Sequence, residues 1–131
     1  YVQTLTIRAA DVVAATGVGL LACAILVTNN LRDIVGDPAA GKMTLAVRLG
    51  DRRTRILYAA MVGAASAVPV VVAWLTAPIV AVTLATGLLA VKPVRTVLSG
   101  STGPALIPAL KETGLLLLVY GLVLGATLAV A

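Results

Sequence analysis

One stretch without any charged residue, from Ile56 to Val91, constrains this chain more than any other feature. Thr76, Ala77 and Pro78 interrupt it with a turn signal, because proline ends one helix and can open the next. The part before that turn is long enough to cross about 30 Å of hydrocarbon as a helix. The stretch therefore predicts two membrane spans joined by a tight hairpin.

The composition indicates a membrane setting for the whole chain. Hydrophobic residues make up 60% of it, the mean hydropathy is +1.09, and 11% of its residues are charged, whereas a soluble domain carries about 25% charged residues. Histidine is absent and Cys23 is the one cysteine. These counts exclude a disulfide framework, a zinc site built from His and Cys, and a histidine-based catalytic triad.

Four apolar segments predict an all-α fold, a multi-spanning transmembrane helix bundle. The expected spans are about 12–28, 56–75, 78–97 and 113–131, with loops at about 29–55 and 92–112. The apolar run of the third span, from Ile79 to Val91, is short for a membrane span. The span is therefore expected to include residues on either side of this run. Because Tyr1 is not preceded by an initiator methionine or a leader, the chain is interpreted as part of a longer polypeptide.

The basic residues orient these spans. Six of the ten lie from Arg32 to Arg55, between the first and second spans, and Lys92, Arg95 and Lys111 lie between the third and fourth. The positive-inside rule places both basic loops in the cytoplasm. The expected location is the inner membrane of a bacterial cell, with membrane lipid around the helices and no nucleic acid as a partner.

The most polar stretch of the chain follows the first span. Asn29, Asp33 and Asp37 are spaced four apart, so on a helix their side chains would lie on one face, each one turn above the last. Carboxylates held that close repel each other unless a cation lies between them. At the edge of a bilayer this pattern predicts a divalent metal that holds an anionic substrate.

Two neighbouring runs carry a resemblance to a known family. Residues 29–37 read Asn-Asn-Leu-Arg-Asp-Ile-Val-Gly-Asp, and residues 39–50 read Ala-Ala-Gly-Lys-Met-Thr-Leu-Ala-Val-Arg-Leu-Gly. Together they resemble the second aspartate-rich motif of the intramembrane aromatic prenyltransferases of the UbiA type, in the variant carried by members that act on 1,4-dihydroxy-2-naphthoate. Residues 1–4 resemble the family's segment ahead of this helix, and the remainder agrees only in hydropathy.

The resemblance implies a fold and an activity. The fold is a bundle of about nine transmembrane helices around a cavity, of which this chain supplies roughly the last four or five, with four spans expected in the sequence itself. The activity is Mg²⁺-dependent transfer of a polyprenyl group from polyprenyl diphosphate to 1,4-dihydroxy-2-naphthoate, with decarboxylation, giving demethylmenaquinone for menaquinone biosynthesis. An earlier Asn/Asp motif of the family is missing here, so the segment alone is expected to be inactive without the remaining amino-terminal helices as partners.

The resemblance also assigns roles to residues of this sequence, in keeping with what a metal-bound diphosphate leaving group needs. The expected metal ligands are Asp33, Asp37 and Asn29. The residues expected to bind the diphosphate are Asn29, Arg32, Lys42 and Arg48. The residues expected to be catalytic are Asp33, Asp37, Arg32 and Lys42.

Other interpretations stay open for the function and for single residues. The acceptor could be another aromatic compound such as 4-hydroxybenzoate, and the chain could be a piece of a transporter or channel that uses the aspartates as a cation site. Asp37 could be a helix N-cap before Pro38, and Asp33 could only pair with a neighbouring base. Residues interpreted as membrane-surface anchors are Arg52, Arg53 and Arg55. Residues interpreted as a solvated pair that opens the last helix are Lys111 and Glu112.

Overall fold

The computed structural model of the chain describes residues 7–131. Every regular element in that part of the chain is a helix, and four helical stretches are long and apolar enough to cross a membrane. These first to fourth spans are Ala9–Arg32, Asp51–Leu75, Pro78–Leu98 and Gly103–Ala129. The expected all-α transmembrane architecture is confirmed. Residues 1–4, which belong to the family resemblance, lie outside the described residues.

The four spans form a closed bundle. The first packs against the second and the fourth, and the third completes the ring by packing against the same two. Because the connections at 76–77 and 99–102 are short, the second, third and fourth spans alternate in direction. Residues 33–50 and 99–102 therefore lie at the same end of the bundle, here called the basic end. The turn at 76–77 lies at the opposite end.

Alanine, valine and leucine fill most of the core, and two tyrosines are its largest buried side chains. The hydroxyls of Tyr58 and Thr113 lie 2.7 Å apart, and the Tyr120 hydroxyl donates to the Ala65 carbonyl at 3.1 Å. Both bonds join the second span to the fourth and satisfy hydroxyls that burial removes from water. Gly17 of the first span leaves room for Tyr120, because a Cβ atom there would collide with its hydroxyl.

Helix α1 (Ala9–Arg32) forms the first span. At its start the Arg8 backbone N–H donates to Asp11 Oδ2 at 2.9 Å. The apolar pattern predicts an end at residue 28, whereas the helix continues through both asparagines to Arg32. Hydropathy marks where apolar side chains stop, while the backbone hydrogen bonds carry the helix on for another turn.

The connection at the basic end is shorter than the expected loop 29–55 and holds two short helices, α2 (Gly36–Ala39) and α3 (Leu45–Leu49). Helix α4 (Asp51–Leu75) follows and forms the second span, starting before the predicted residue 56. Gly50 lies between α3 and α4 with a φ of 79°, which glycine adopts at little cost. This turn lets the chain enter the second span directly from α3.

The third span owes its length to an extended winding. Pro78–Ala90 is a 3₁₀ helix of 13 residues, and α5 (Val91–Leu98) continues it. At a rise of about 2.0 Å per residue the 3₁₀ segment covers about 26 Å, whereas an α-helix would cover about 20 Å. The apolar run that is short for a span is therefore stretched. Buried Val80, Thr83 and Thr86 recur every third residue, which is the period of this winding.

The fourth span begins earlier than the sequence predicts. A 3₁₀ turn, Gly103–Leu106, leads into α6 (Ile107–Ala129), so the expected loop 92–112 is reduced to 99–102. The prediction that Lys111 and Glu112 open this helix as a solvated pair is wrong. Glu112 lies inside the span, partly buried, and its carboxylate pairs with the ammonium of Lys92 at 2.5 Å.

Candidate active site

The stretch that holds both candidate aspartates bridges α1 and α2. The backbone N–H of Asp33 donates to the Asn29 carbonyl at 3.3 Å, and that of Asp37 donates to the Asp33 carbonyl at 2.9 Å. The three residues thus follow one another at intervals of one turn. Asn29 and Asp33 are half-buried, and Asp37 is 8% exposed.

Asp33 forms a two-pronged ion pair with its neighbour. Arg32 donates from Nε to Asp33 Oδ1 at 2.8 Å and from Nη2 to Asp33 Oδ2 at 2.7 Å. These hydrogen bonds hold the pKa of Asp33 below its ordinary value, and the charges of Arg32 and Lys42 lower it further. The carboxylate is therefore ionised at neutral pH. This ion pair agrees with the alternative interpretation, in which Asp33 pairs with a neighbouring base.

Asp37 is fixed by a residue that the sequence analysis missed. Its Oδ2 accepts a hydrogen bond from Thr44 Oγ1 at 3.2 Å, and its backbone carbonyl accepts the N–H of Lys42 at 2.8 Å. The alternative that Asp37 caps a helix is wrong, because it lies within α2 and its side chain caps no N–H there. Thr44 is the N-cap of α3, and a threonine one position before an apolar stretch is the signal that marks it.

The two other basic candidates, Lys42 and Arg48, differ in their relation to these carboxylates. Lys42 is exposed, yet close enough to lower the pKa of Asp33 through its charge. Arg48 is exposed in the last turn of α3, and α3 packs against both α1 and α4. The structure thus groups Arg32, Asp33 and Lys42 electrostatically, places Asp37 one turn on, joins Asn29 through the backbone, and leaves Arg48 on a separate helix.

The donor atoms suit a hard divalent cation that takes few protein ligands. Asp33 and Asp37 offer carboxylate oxygens on consecutive turns, and one of these residues is buried. Between residues 7 and 131 no group of three or more His, Cys, Asp or Glu side chains is placed to hold a metal ion. Mg²⁺ is usually bound by one or two carboxylates together with water and substrate phosphates. The residues present fit that mode.

An apolar cavity of about 190 Å³ lies between α1, α3 and α4, just below the acidic pair. Asn30 lines it from α1, one turn before Asp33. The other residues that line it are Cys23, Leu26, Val27, Leu45, Ala46, Thr54, Leu57 and Met61. Most of these side chains are apolar, so the cavity suits a hydrocarbon group better than a polar one.

Arg55 is not the surface anchor that the sequence analysis interpreted it to be. It is 6% exposed, and its guanidinium holds both carboxylate oxygens of Asp51 at 2.6 and 2.7 Å. It also donates to the Val97 carbonyl and, at 2.9 Å, to that of Ser101. Arg55 thus ties the start of the second span to the connection between the third and fourth. Its spacing of four from Asp51 is the signal that could have found the ion pair.

Residues 1–105 match the model of the UbiA prenyltransferase family. The chain belongs to this family. The resemblance found in the run from Asn29 to Gly50 is confirmed, and the four apolar spans make this family member an integral membrane protein.

Curated relatives of this UbiA family member carry one name, 1,4-dihydroxy-2-naphthoate octaprenyltransferase. That of Mycobacterium tuberculosis (strain ATCC 25618 / H37Rv) is 43% identical over 98% of this chain and 44% of its own length. That of Mycobacterium leprae (strain TN) is 42% identical over 100% of this chain and 44% of its own length. That of Escherichia coli (strain K12) is 48% identical over 47% of this chain and 20% of its own length. The chain spans less than half the length of these relatives, and no solved structure matches it.

Proposed function

We propose that the whole protein to which this chain belongs transfers a polyprenyl group from polyprenyl diphosphate to 1,4-dihydroxy-2-naphthoate. The observation that carries the proposal is the pair Asp33 and Asp37, set on consecutive turns at the edge of a membrane bundle, with the basic side chains of Arg32 and Lys42 near Asp33. Relatives that are 42–43% identical over almost the whole chain bear the name of this activity.

The proposed reaction is an alkylation of an aromatic ring with loss of carbon dioxide. The C–O bond between the prenyl C1 and the diphosphate breaks, and its electron pair leaves with the diphosphate. The carbon that bears the carboxylate attacks C1, and the carboxylate then leaves as CO₂ while its electron pair returns to the ring. No oxidant enters this step, so the product forms in the reduced, quinol state of demethylmenaquinone.

The chain's own residues would stabilise the leaving group. Arg32 offers a planar fork of donors to diphosphate oxygens, and Lys42 offers a mobile positive charge. Because the Arg32–Asp33 pair is partly exposed, exchanging Asp33 for a diphosphate oxygen costs little free energy. Arg48 would reach the distal phosphate from α3, and the Asn29 amide would orient a carboxylate.

Asp33 and Asp37, with Asn29 beside them, would hold the divalent cation that we propose to be Mg²⁺. Such an ion supplies neutralisation of the charge that develops on the leaving diphosphate. Thr44 keeps the Asp37 carboxylate in place from α3. Since Asp37 is buried, its position is fixed by packing as well as by this bond.

The hydrocarbon part of the donor explains the membrane setting. The apolar cavity below Asp33 and the lipid around the spans give a polyprenyl chain surroundings as apolar as itself. We propose that the basic end lies on the cytoplasmic side of the inner membrane. Six of the ten basic residues lie there, between Arg32 and Arg55, and basic residues are enriched in cytoplasmic loops.

The alternatives raised by the sequence are less well supported. A transporter would hold its cation near the middle of the membrane between broken helices, whereas Asp33 and Asp37 lie at the end of the first span. The family that includes this chain is a prenyltransferase family. The names of the relatives favour the naphthoate over 4-hydroxybenzoate as the acceptor.

The decisive experiment uses the full-length protein in lipid nanodiscs with polyprenyl diphosphate, 1,4-dihydroxy-2-naphthoate and Mg²⁺. We expect Asp33→Asn and Asp37→Asn each to lower the rate of product formation on the order of 10²-fold, because charge stabilisation of this kind is usually a large contribution. Removing divalent ions with a chelator should lower the wild-type rate at least as far.

The matched control is Asp11→Asn, which removes an exposed carboxylate at the opposite end of the first span. Its rate should equal that of the wild type. If Asp33→Asn or Asp37→Asn keeps the wild-type rate, the proposed site is wrong. If the wild-type protein prenylates 4-hydroxybenzoate and not the naphthoate, the reaction class stands and the acceptor is wrong.

A further inference from the structure

An ion pair inside the membrane remains outside the proposed reaction. Lys92 of α5 and Glu112 of α6 pair at 2.5 Å within the third and fourth spans. Counting from the basic ends of these spans, the two residues lie about 9 and 14 Å along the helices. Charged groups at such depth are costly, and they usually mark a site where something polar binds.

The pair is electrically matched but incomplete in its hydrogen bonds. Glu112 Oε1 pairs with the ammonium of Lys92. Glu112 Oε2 is buried and accepts no hydrogen bond from any residue in the described range 7–131. The Lys92 side chain is 81% exposed, and an ammonium has three N–H donors. The pair therefore offers one unmet acceptor and unused positive donors at the same place.

These groups line a groove of about 340 Å³ between the third and fourth spans. Its other walls are Leu88, Leu89 and Leu115. The third span runs toward the basic end and the fourth runs away from it, so Leu88 and Leu89 lie deeper in the membrane than Lys92 on the third span, and Leu115 lies deeper than Glu112 on the fourth. The groove is thus charged toward the basic end and apolar below.

We propose that this groove binds a phospholipid of the leaflet at the basic end. The phosphate would accept hydrogen bonds from Lys92, a protonated amine or hydroxyl of the headgroup would donate to Glu112 Oε2, and the acyl chains would lie along the three leucines. The order of charges and leucines matches the order of headgroup and chains in a bilayer. An unpaired carboxylate oxygen selects a headgroup that carries a donor.

The test measures phospholipid binding to the purified full-length protein by native mass spectrometry, with titration of dilauroyl lipids. Phosphatidylethanolamine has N–H donors and phosphatidylcholine has none, although both carry the phosphate. We expect the wild type to bind phosphatidylethanolamine roughly tenfold more tightly than phosphatidylcholine, the ratio typical of one charge-assisted hydrogen bond. Lys92→Gln should weaken the binding of both lipids, and Glu112→Gln should remove the preference between them.

Lys111→Gln is the matched control, because Lys111 is an exposed lysine on α6 next to Glu112. It should bind both lipids as the wild type does. Equal binding of the two lipids by the wild type would overturn the proposal, and this comparison does not depend on how any variant folds. Displacement of phosphatidylethanolamine by 1,4-dihydroxy-2-naphthoate would also overturn it, since the groove would then be an acceptor site.

Discussion

Arg32 and Arg55 each pair with an aspartate at the basic end, but their surroundings differ. The Arg32 side chain is 31% exposed, and it meets the Asp33 carboxylate on the next residue. The Arg55 side chain is 7% exposed, and besides Asp51 it donates to two backbone carbonyls, that of Val97 at the end of the third span and that of Ser101 in the connection that follows. Arg32 is open to an incoming anion, whereas Arg55 is buried and donates to three different residues, although the side chain of its partner Asp51 is 51% exposed.

The difference teaches that the same pair of residue types serves two purposes. An exposed ion pair contributes about 0–1 kcal/mol to stability, so a diphosphate can take the place of Asp33 at Arg32 with little loss. Removing a buried donor costs about 1–3 kcal/mol for a buried acceptor that is left without a partner. We therefore assign Arg32 to substrate binding and Arg55 to holding the two connections together.

The largest expected effect is on stability, for Arg55→Gln. This change should lower the free energy of unfolding of the full-length protein by about 2 kcal/mol, because the carbonyls of Val97 and Ser101 lose a charged donor, while the exposed Asp51 carboxylate is hydrated. Denaturant unfolding in detergent micelles measures it. Arg53→Gln, which alters an exposed arginine on the same helix, is the control and should change little. Equal stability of the two variants would refute the structural role of Arg55.

The next effect is on catalysis, for Arg32→Gln. The rate of prenyl transfer at limiting polyprenyl diphosphate should fall roughly tenfold, since one charge-assisted contact to the leaving group is lost. The unfolding free energy should stay within about 1 kcal/mol of the wild type. The measurement is kcat/KM for the donor in nanodiscs. If Arg32→Gln lowers the unfolding free energy and leaves kcat/KM unchanged, Arg32 has a structural role like that of Arg55, and its assignment to substrate binding is wrong.

A smaller effect is expected for Thr44→Val, which removes the hydroxyl that fixes Asp37 and caps α3. The cost should be about 1 kcal/mol of stability, together with a several-fold rise in KM for the donor. Thr96→Val removes an exposed hydroxyl that bonds only within its own helix, and it should leave KM unchanged. A KM for Thr44→Val equal to that of the control would argue against positioning of Asp37 by Thr44.

The smallest effect concerns pH. Arg32 lowers the pKa of Asp33 from its ordinary value of 3.8, so the stabilising pair is present above that value and is lost as pH falls through the lowered pKa. In Arg32→Gln the pKa of Asp33 should return toward 3.8. The acid limb of the rate–pH profile should therefore move to higher pH. An acid limb that stays in place or moves to lower pH would contradict the contact between Arg32 and Asp33.

The sequence predicts the spans well because hydropathy is a property of each segment taken alone. It predicts their ends poorly, since α1 continues beyond its last apolar residue and α6 starts before its first long apolar run. In both places backbone hydrogen bonding and packing against other spans extend the helix past the apolar pattern.

The candidate site shows the same limit. The spacing of Asn29, Asp33 and Asp37 is local, and the backbone bonds between them follow from it. The contact of Asp37 with Thr44 depends on the turn at Gly41, whose φ is 73°. The enclosure of Arg55 depends on a connection that lies more than forty positions further along the chain. Contacts of that separation are set by the assembly of the bundle, so no local pattern reveals them.

The 3₁₀ winding of Pro78–Ala90 has a consequence for the choice of membrane. Rewinding these 13 residues as an α-helix would shorten the third span by about 6 Å. That is comparable to the difference in hydrophobic thickness between thin and thick biological bilayers. A thicker bilayer thus favours the stretched winding and a thinner one favours the compact winding, so this span carries its own means of correcting hydrophobic mismatch.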